Sequence, residues 1–287
     1  TMLNSAQIST ASFGAGNAGR MEIPASSIVM DALFSSVVQL SAVSQPITGD
    51  GGNAGDNIIH TGSLDMYNGA TMFATTSGSG QAGLVDISAH TVGLHNGSII
   101  TAGTFGVGKG GDVHVTADLV RLDGKDNFTG GPDNLTGIQA LTTGSGPAGT
   151  LQITAGTLEL DHMGSLFTSS FSEGSGGKIE VNAGNLTLAR NSSITVAAFS
   201  SGSAGLIDIR AQSMNVLSGG TISASTYDAG RGGSIQITAG SLKINGQDTT
   251  TGGPDLPTGI QAVTFSPDFD AAGGTIHINA DSLELDH

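Results

Sequence analysis

Two stretches of this chain concentrate the residues that could bind or react. One runs from Asp123-Gly124-Lys125-Asp126-Asn127-Phe128 to Asp133-Asn134, the other from Asn245-Gly246-Gln247-Asp248 to Asp255-Leu256. Carboxylates and amides crowded on a loop are the ligands of Ca²⁺, which takes roughly six to eight oxygens. On that chemistry the metal candidates are Asp123, Asp126, Asp133, Asp248 and Asp255. The same loops, read as ridges that touch a partner, offer Asp126, Asn127, Phe128, Asp133, Asn134, Asp248 and Asp255, with Asp268 and Asp270 further on. Asp, Asn and Gly are also ordinary turn formers, and Pro132 and Pro254 fix the backbone. The plainer reading is a pair of protruding loops with local caps. No cofactor is expected otherwise.

Other reactive types are thinly spread. His162 and His287 occupy equivalent repeat positions, too far apart to share a metal. His114 stands one repeat from Asp86, but no Ser nucleophile or oxyanion hole accompanies the pair. Sugar-cleaving enzymes need converging carboxylates; here the acids are scattered and Trp is absent. The outward Thr columns are too irregular for a flat ice-binding array. With no Cys, disulfides and thiol chemistry are excluded. We therefore read the chain as non-enzymatic. The formal charge of −15, from 9 basic and 24 acidic residues, disfavours nucleic acid and anionic membranes. No apolar run reaches membrane-span length.

The elements that must position these residues are repeats. Gly is 46 of 287 residues. Gly19, Gly55, Gly83, Gly111, Gly149, Gly177, Gly205, Gly233 and Gly274 mark one recurring corner, with steps of 36, 28, 28, 38, 28, 28, 28 and 41. A 28-residue unit is the ground state and longer steps carry insertions. Within each unit, aliphatics alternate with polar residues, as a strand requires. Ile207, Ile209 and Ala211 mark a first strand, Met214 and Val216 a second, Ile222 a third. One unit cannot bury its own apolar face, but stacked units can. The expected fold is all-β: a right-handed, single-stranded parallel β-helix. It has three short strands per coil and about 9–10 coils. At about 4.8 Å per coil the rod is on the order of 45 Å long.

Five residues beyond the third-strand aliphatic come Phe13, Phe105, Phe171, Phe199, Tyr227 and Phe265. They predict an aromatic column, read as an internal stack near the last corner, with a carbohydrate-binding strip as the sharper alternative. A higher period overlies the coils. Gly137-Ile138-Gln139-Ala140 recurs as Gly259-Ile260-Gln261-Ala262, 122 residues on, and Leu158 to His162 recurs as Leu283 to His287, 125 residues on. Four coils thus form a super-repeat. Residues 1–287 read as one continuous β-helix segment. Super-repeats lie roughly at 20–149 and 150–274, with partial coils at 1–19 and 275–287. We expect a fragment of a longer chain.

The unit from Ala204-Gly205 through Ala211, Met214, Val216, Gly219, Ile222, Ala224 and Thr226, with its copies, resembles the repeats of filamentous-haemagglutinin-like exoproteins. These come from Gram-negative bacteria and cyanobacteria, and are of the two-partner-secretion type. The resemblance implies secretion through an outer-membrane partner and an adhesin or surface-fibre role. The family's secretion domain, with its Asn-Pro-Asn motifs, has no counterpart in these residues, so the route is implied by analogy alone. The expectation is the structural repeat region of an extracellular fibre or adhesin at a Gram-negative-type cell surface. It acts as a rigid shaft, or as a filament or sheath unit that associates with itself end to end or laterally. The alternatives are a glycan- or surface-binding module, whose partner is cell-surface or matrix polysaccharide, and, behind it, a polysaccharide-active enzyme.

Overall fold

A computed structural model describes residues 1–32, 38–44, 51–125, 132–247, 257–265 and 272–286. Described residues form two parallel sheets that wind together as a β-helix. The first stacks Met2–Leu3, Met21–Asp31, Asn57–Tyr67, Val85–Ser88 with Thr91–His95, Val113–Asp123, Thr150–Asp161, Lys178–Leu188, Leu206–Leu217, Ser234–Asn245 and Thr275–Asp286. The second stacks Gln7–Ser12, Gln39–Ser44, Thr71–Thr76, Ile99–Thr104, Thr136–Thr142, Gly164–Ser170, Ser193–Ala198, Thr221–Thr226 and Gly259–Gln261. Stack order follows chain order, so each coil adds one rung to each sheet.

The register is the sequence repeat made physical. Val181 pairs with Ile153 below and Ile209 above. The same alignment survives the insertions: Val113 pairs with Leu151 and Ile235 with Ile276. Extra residues leave and re-enter at corners, because a one-residue slip would turn every core side chain outward.

One expectation is refined. The predicted first and second strands run together as one bent strand in most coils. Ala117 pairs with Ala155, Asp118 is skipped, and Leu119 resumes with Thr157. Only around His90 does the corner divide the strand in two, at Val85–Ser88 and Thr91–His95. The bend lets one strand turn its aliphatics inward on both legs without breaking the ladder.

The core is a set of aliphatic ladders. Ile153, Val181, Ile209 and Ile237 lie in register and are buried, facing Leu158, Leu186, Met214 and Leu242 on the second leg and Leu166, Ile194 and Ile222 from the other sheet. At about 25 cal/mol per Å² of apolar surface removed from water, this burial is the main favourable term. The closing Gly corner lies where coils touch backbone to backbone. A Cβ on Gly149 would overlap the carbonyl of Gly111, and one on Gly205 that of Gly177. No other residue fits there without separating the coils. On the last rung, Ile276, Leu283 and Leu285 hold core positions but stand exposed.

A buried hydroxyl closes most of the coils, with Ala198 taking the position in one. Thr76, Thr104, Thr142, Ser170 and Thr226 end the second-sheet strands fully buried. Thr76 Oγ1 donates to the Gly52 carbonyl, Ser170 Oγ to that of Ser172 and Thr226 Oγ1 to that of Gly230, while the Gly106 amide donates to Thr104 Oγ1. These bonds satisfy corner backbone groups that would otherwise be buried without partners.

Candidate functional site

The neck of the first insertion is well defined. The Asn134 amide donates to the Gly124 carbonyl at 2.7 Å, bringing the two ends of the loop together. Asn134 Nδ2 donates to Asn96 Oδ1, Asn96 Nδ2 to Asn68 Oδ1, and Asn68 Nδ2 to Asp31 Oδ1. Asn134 is therefore the end of an amide ladder. Asn68 and Asn96 carry positive φ, a conformation Asn adopts more readily than most residues. Re-entry is pinned by a threonine: the Gly97 amide donates to Thr136 Oγ1 at 2.7 Å, and the Gly219 amide to Thr258 Oγ1 at 2.7 Å. Sequence reasoning passed over this pair, although Thr136 and Thr258 stand 122 residues apart, like the motifs around them.

Beside the neck lies a charged cluster. Asp123, Asp161 and His162 bring their ligand atoms within 4.8 Å of one another. His162 Nδ1 lies 3.2 Å from Asp123 Oδ1 and 3.4 Å from Asp161 Oδ2. Neither approach is a well-formed hydrogen bond. Each carboxylate already has a guanidinium: Arg121 Nη2 is 3.0 Å from Asp123 Oδ2, and Arg190 grips Asp161 with Nε at 2.6 Å and with Nη2. The Lys125 amide donates to Asp123 Oδ1. Burial works to raise the Asp123 carboxyl, but the Lys125 amide, Arg121 and His162 outweigh it and hold the group below its usual range. Hydrogen bonds from Arg190 to Asp161 raise the guanidinium further still.

Two arginines thus stand where a Ca²⁺ ion would need open carboxylates. The cluster ties three successive coils through the strands ending at Asp123 and Asp161 and the corner at Arg190. Of the sequence-predicted metal candidates, Asp123 lies in this cluster, and Asp133 sits close enough to act on Arg190 through its charge. Asp126, Asn127, Phe128, Asp248, Asp255, Asp268 and Asp270 lie outside the described residues, as does His287. Asp86 and His114 do lie side by side in the ladder. His114 is followed on the next rung by Gln152.

The aromatic column exists, and its position corrects the expectation. Phe171, Phe199, Tyr227 and Phe265 stack with centroids 4.8, 4.8 and 5.2 Å apart and nearly parallel planes. The rings are not internal: Phe199, the least exposed, is 38% exposed and Phe13, the most, 63%. Buried Thr and Ser end the strand on the inside, so the next residue turns out. In the stacked run the rings cover one another's faces and present edges, which removes the flat platform a sugar-binding strip needs. Phe105 is different, for its rung neighbours in this column are Ser77 and Thr143. Its ring is 57% exposed.

Near Phe105 the outer side of the second sheet is hollowed into a cavity of about 590 Å³. Gln7, Ser9, Gln39, Ser41, Thr101 and Gln139 line it with amides and hydroxyls, and Phe13, Phe73 and Phe105 with rings. Among the described residues, no charged side chain lines it. Some of the polar lining is already ordered: Gln7 Nε2 donates to Gln39 Oε1 at 3.1 Å, and Ser41 Oγ to Ser9 Oγ at 2.9 Å. The candidate interaction surface is this hollow and not the Asp123 cluster, whose charges are matched internally. No family model, no curated protein and no solved structure matches the chain, so functional reading rests on these features and on the repeat residues themselves.

Proposed function

We propose that this chain is the rigid, non-catalytic shaft of an extracellular bacterial fibre or adhesin. The observation that carries the reading is the unbroken register. Every coil pairs in parallel with the next, through insertions of different length, and the core ladders run the length of the stack. A solenoid of this kind is stiff because each coil is held by its neighbours along both sheets. Its polar elements serve the stack: the Asn ladder and the Asp123 cluster join coil to coil, and the hydroxyls hold the corners. The resemblance to haemagglutinin-like repeats supports an exoprotein.

Two measurements test this. Antibodies against the chain should label intact cells of the source organism, and brief surface proteolysis should remove the signal; labelling only after lysis overturns the extracellular reading. Electron microscopy of the isolated chain should show straight, unbranched rods. Flexible or beaded particles overturn the shaft.

A further inference from the structure

We infer that the hollow on the outer side of the second sheet is a binding groove for a segment of uncharged polysaccharide. The groove lies across the strands Gln7–Ser12, Gln39–Ser44, Thr71–Thr76, Ile99–Thr104 and Thr136–Thr142. Its volume, about 590 Å³, is that of a ligand site rather than a surface dimple.

The chemistry selects the ligand class. A sugar ring has two apolar C–H faces and a rim of hydroxyls. Phe105 offers a ring with no aromatic stacked on it among the described residues, and Phe13 offers a second, three rungs below, at about 14 Å. Gln39 and Ser41 lie on a rung between the rings, Thr101 shares the rung of Phe105, and Gln139 stands one rung beyond it, so side-chain donors and acceptors flank the rings along the groove. A linear chain of sugars lying along the rod meets both kinds of partner repeatedly.

Charge then excludes the acidic members of the class. Among the described residues no Lys, Arg or His lines the groove, and a net charge of −15 repels uronates, sulfates and phosphates before contact. Nucleic acid is excluded on the same ground. A strand-adding peptide is excluded because the groove is a sheet face, whose backbone groups are spent on the ladder above and below. The groove also differs from the loop ridges around Asp126 and Asp248 that the sequence nominates for binding. The inference does not depend on the shaft reading, since a rod can carry a groove or lack one.

Isothermal titration calorimetry of the whole chain provides the test. The probes are oligosaccharides of unsubstituted glucose, mannose and galactose, with oligogalacturonate and heparin as the acidic controls. The expected result is saturable binding of at least one neutral probe, insensitive to salt and weakened about tenfold or more by Phe105→Ala or Gln139→Ala. Phe199→Ala, in the self-covered run, leaves it unchanged. Circular dichroism of the Phe105 and Gln139 variants checks that the fold is intact. Absence of neutral binding across the panel overturns the inference, as does preference for the acidic probes or binding that survives both groove substitutions. Sedimentation provides the other arm: if Phe105→Ala instead abolishes a dimer, the occupant is a second copy and the glycan assignment falls.

Discussion

The two sheets share one core and differ completely outside it. Each first-sheet strand from Met21–Asp31 onward carries at least one charged or His side chain: Glu22, Asp86, His114, Arg121, Glu159, Glu180, Asp208 and Lys243 are examples. The second sheet carries none in any strand. Its outward positions are Gln, Ser, Thr, Gly, Ala and a few apolar or aromatic residues. In a chain with a formal charge of −15, one whole face has been left neutral. The lesson is that stacking needs only the inward residues. The outward ones are free to specialise, one face toward solubility and ion pairs, the other toward contact.

The largest effect should fall where the sheets are alike. Leu166→Ala in the second sheet and Ile153→Ala in the first each remove a fully buried aliphatic between two identical neighbours, and each should lower stability by about 2–5 kcal/mol. Urea denaturation of both variants checks it; a much smaller loss in one sheet would mean that the core is not shared equally.

Next comes the aromatic column just beyond the second sheet's strands. Phe199→Ala breaks two stacked pairs and should cost roughly 1–3 kcal/mol, at about 0.5–1.5 kcal/mol per pair. Phe105→Ala breaks none and should cost less than about 1 kcal/mol. Equal losses in thermal denaturation would show that stacking contributes nothing here.

The first sheet's charges should show in acid. Asp123 is held below its usual range by its partners, so its stabilising share is complete above about pH 4 and is lost as pH falls through the depressed value. Asp123→Asn should therefore flatten the acid limb of stability against pH. The Arg190–Asp161 pair joins the same cluster, but Arg190 is 38% exposed, so Asp161→Asn should cost only about 1–2 kcal/mol, and less at high salt. Hydrogen exchange at about pH 3 and pH 7 should show first-sheet amides near Asp123 losing protection before those of the second sheet.

The smallest effect should come from writing a charge onto the neutral face. Thr195→Lys should change stability by less than about 0.5 kcal/mol, because nothing buried depends on Thr195 being neutral. A loss of several kcal/mol in denaturation would mean that neutrality serves folding rather than contact.

Much of the fold was legible because its cause is periodic. Ile207, Ile209, Met214, Val216 and Ile222 name their core positions by alternation, and each copy repeats the statement. The merging of the first two strands was less visible: Asp118 and its equivalents look like turn residues, and whether a ladder continues through a bend depends on the coil beneath. The site was legible mainly as a place of interruption. That Asn134 ends an amide ladder and Thr136 pins the re-entry depends on Asn96 and Gly97, 38 and 39 residues earlier. The guanidinium partner of Asp161 was hidden similarly, since Arg190 reaches it from the next coil, whereas Arg121 stands only two residues from Asp123 on the same strand.

By itself the sequence determined the coil length, the inward residues, the parallel stacking and the super-repeat. Each follows from apolar residues that can be buried only against their own copies. Only the tertiary structure decided which side of the wall the aromatic column takes, how the charges of Asp123 and Asp161 beside the insertion's neck are matched, and that one sheet's outer side closes into a groove neutral among the described residues. Those properties arise between coils, where side chains distant in sequence meet at the spacing of one strand, and no single repeat contains them.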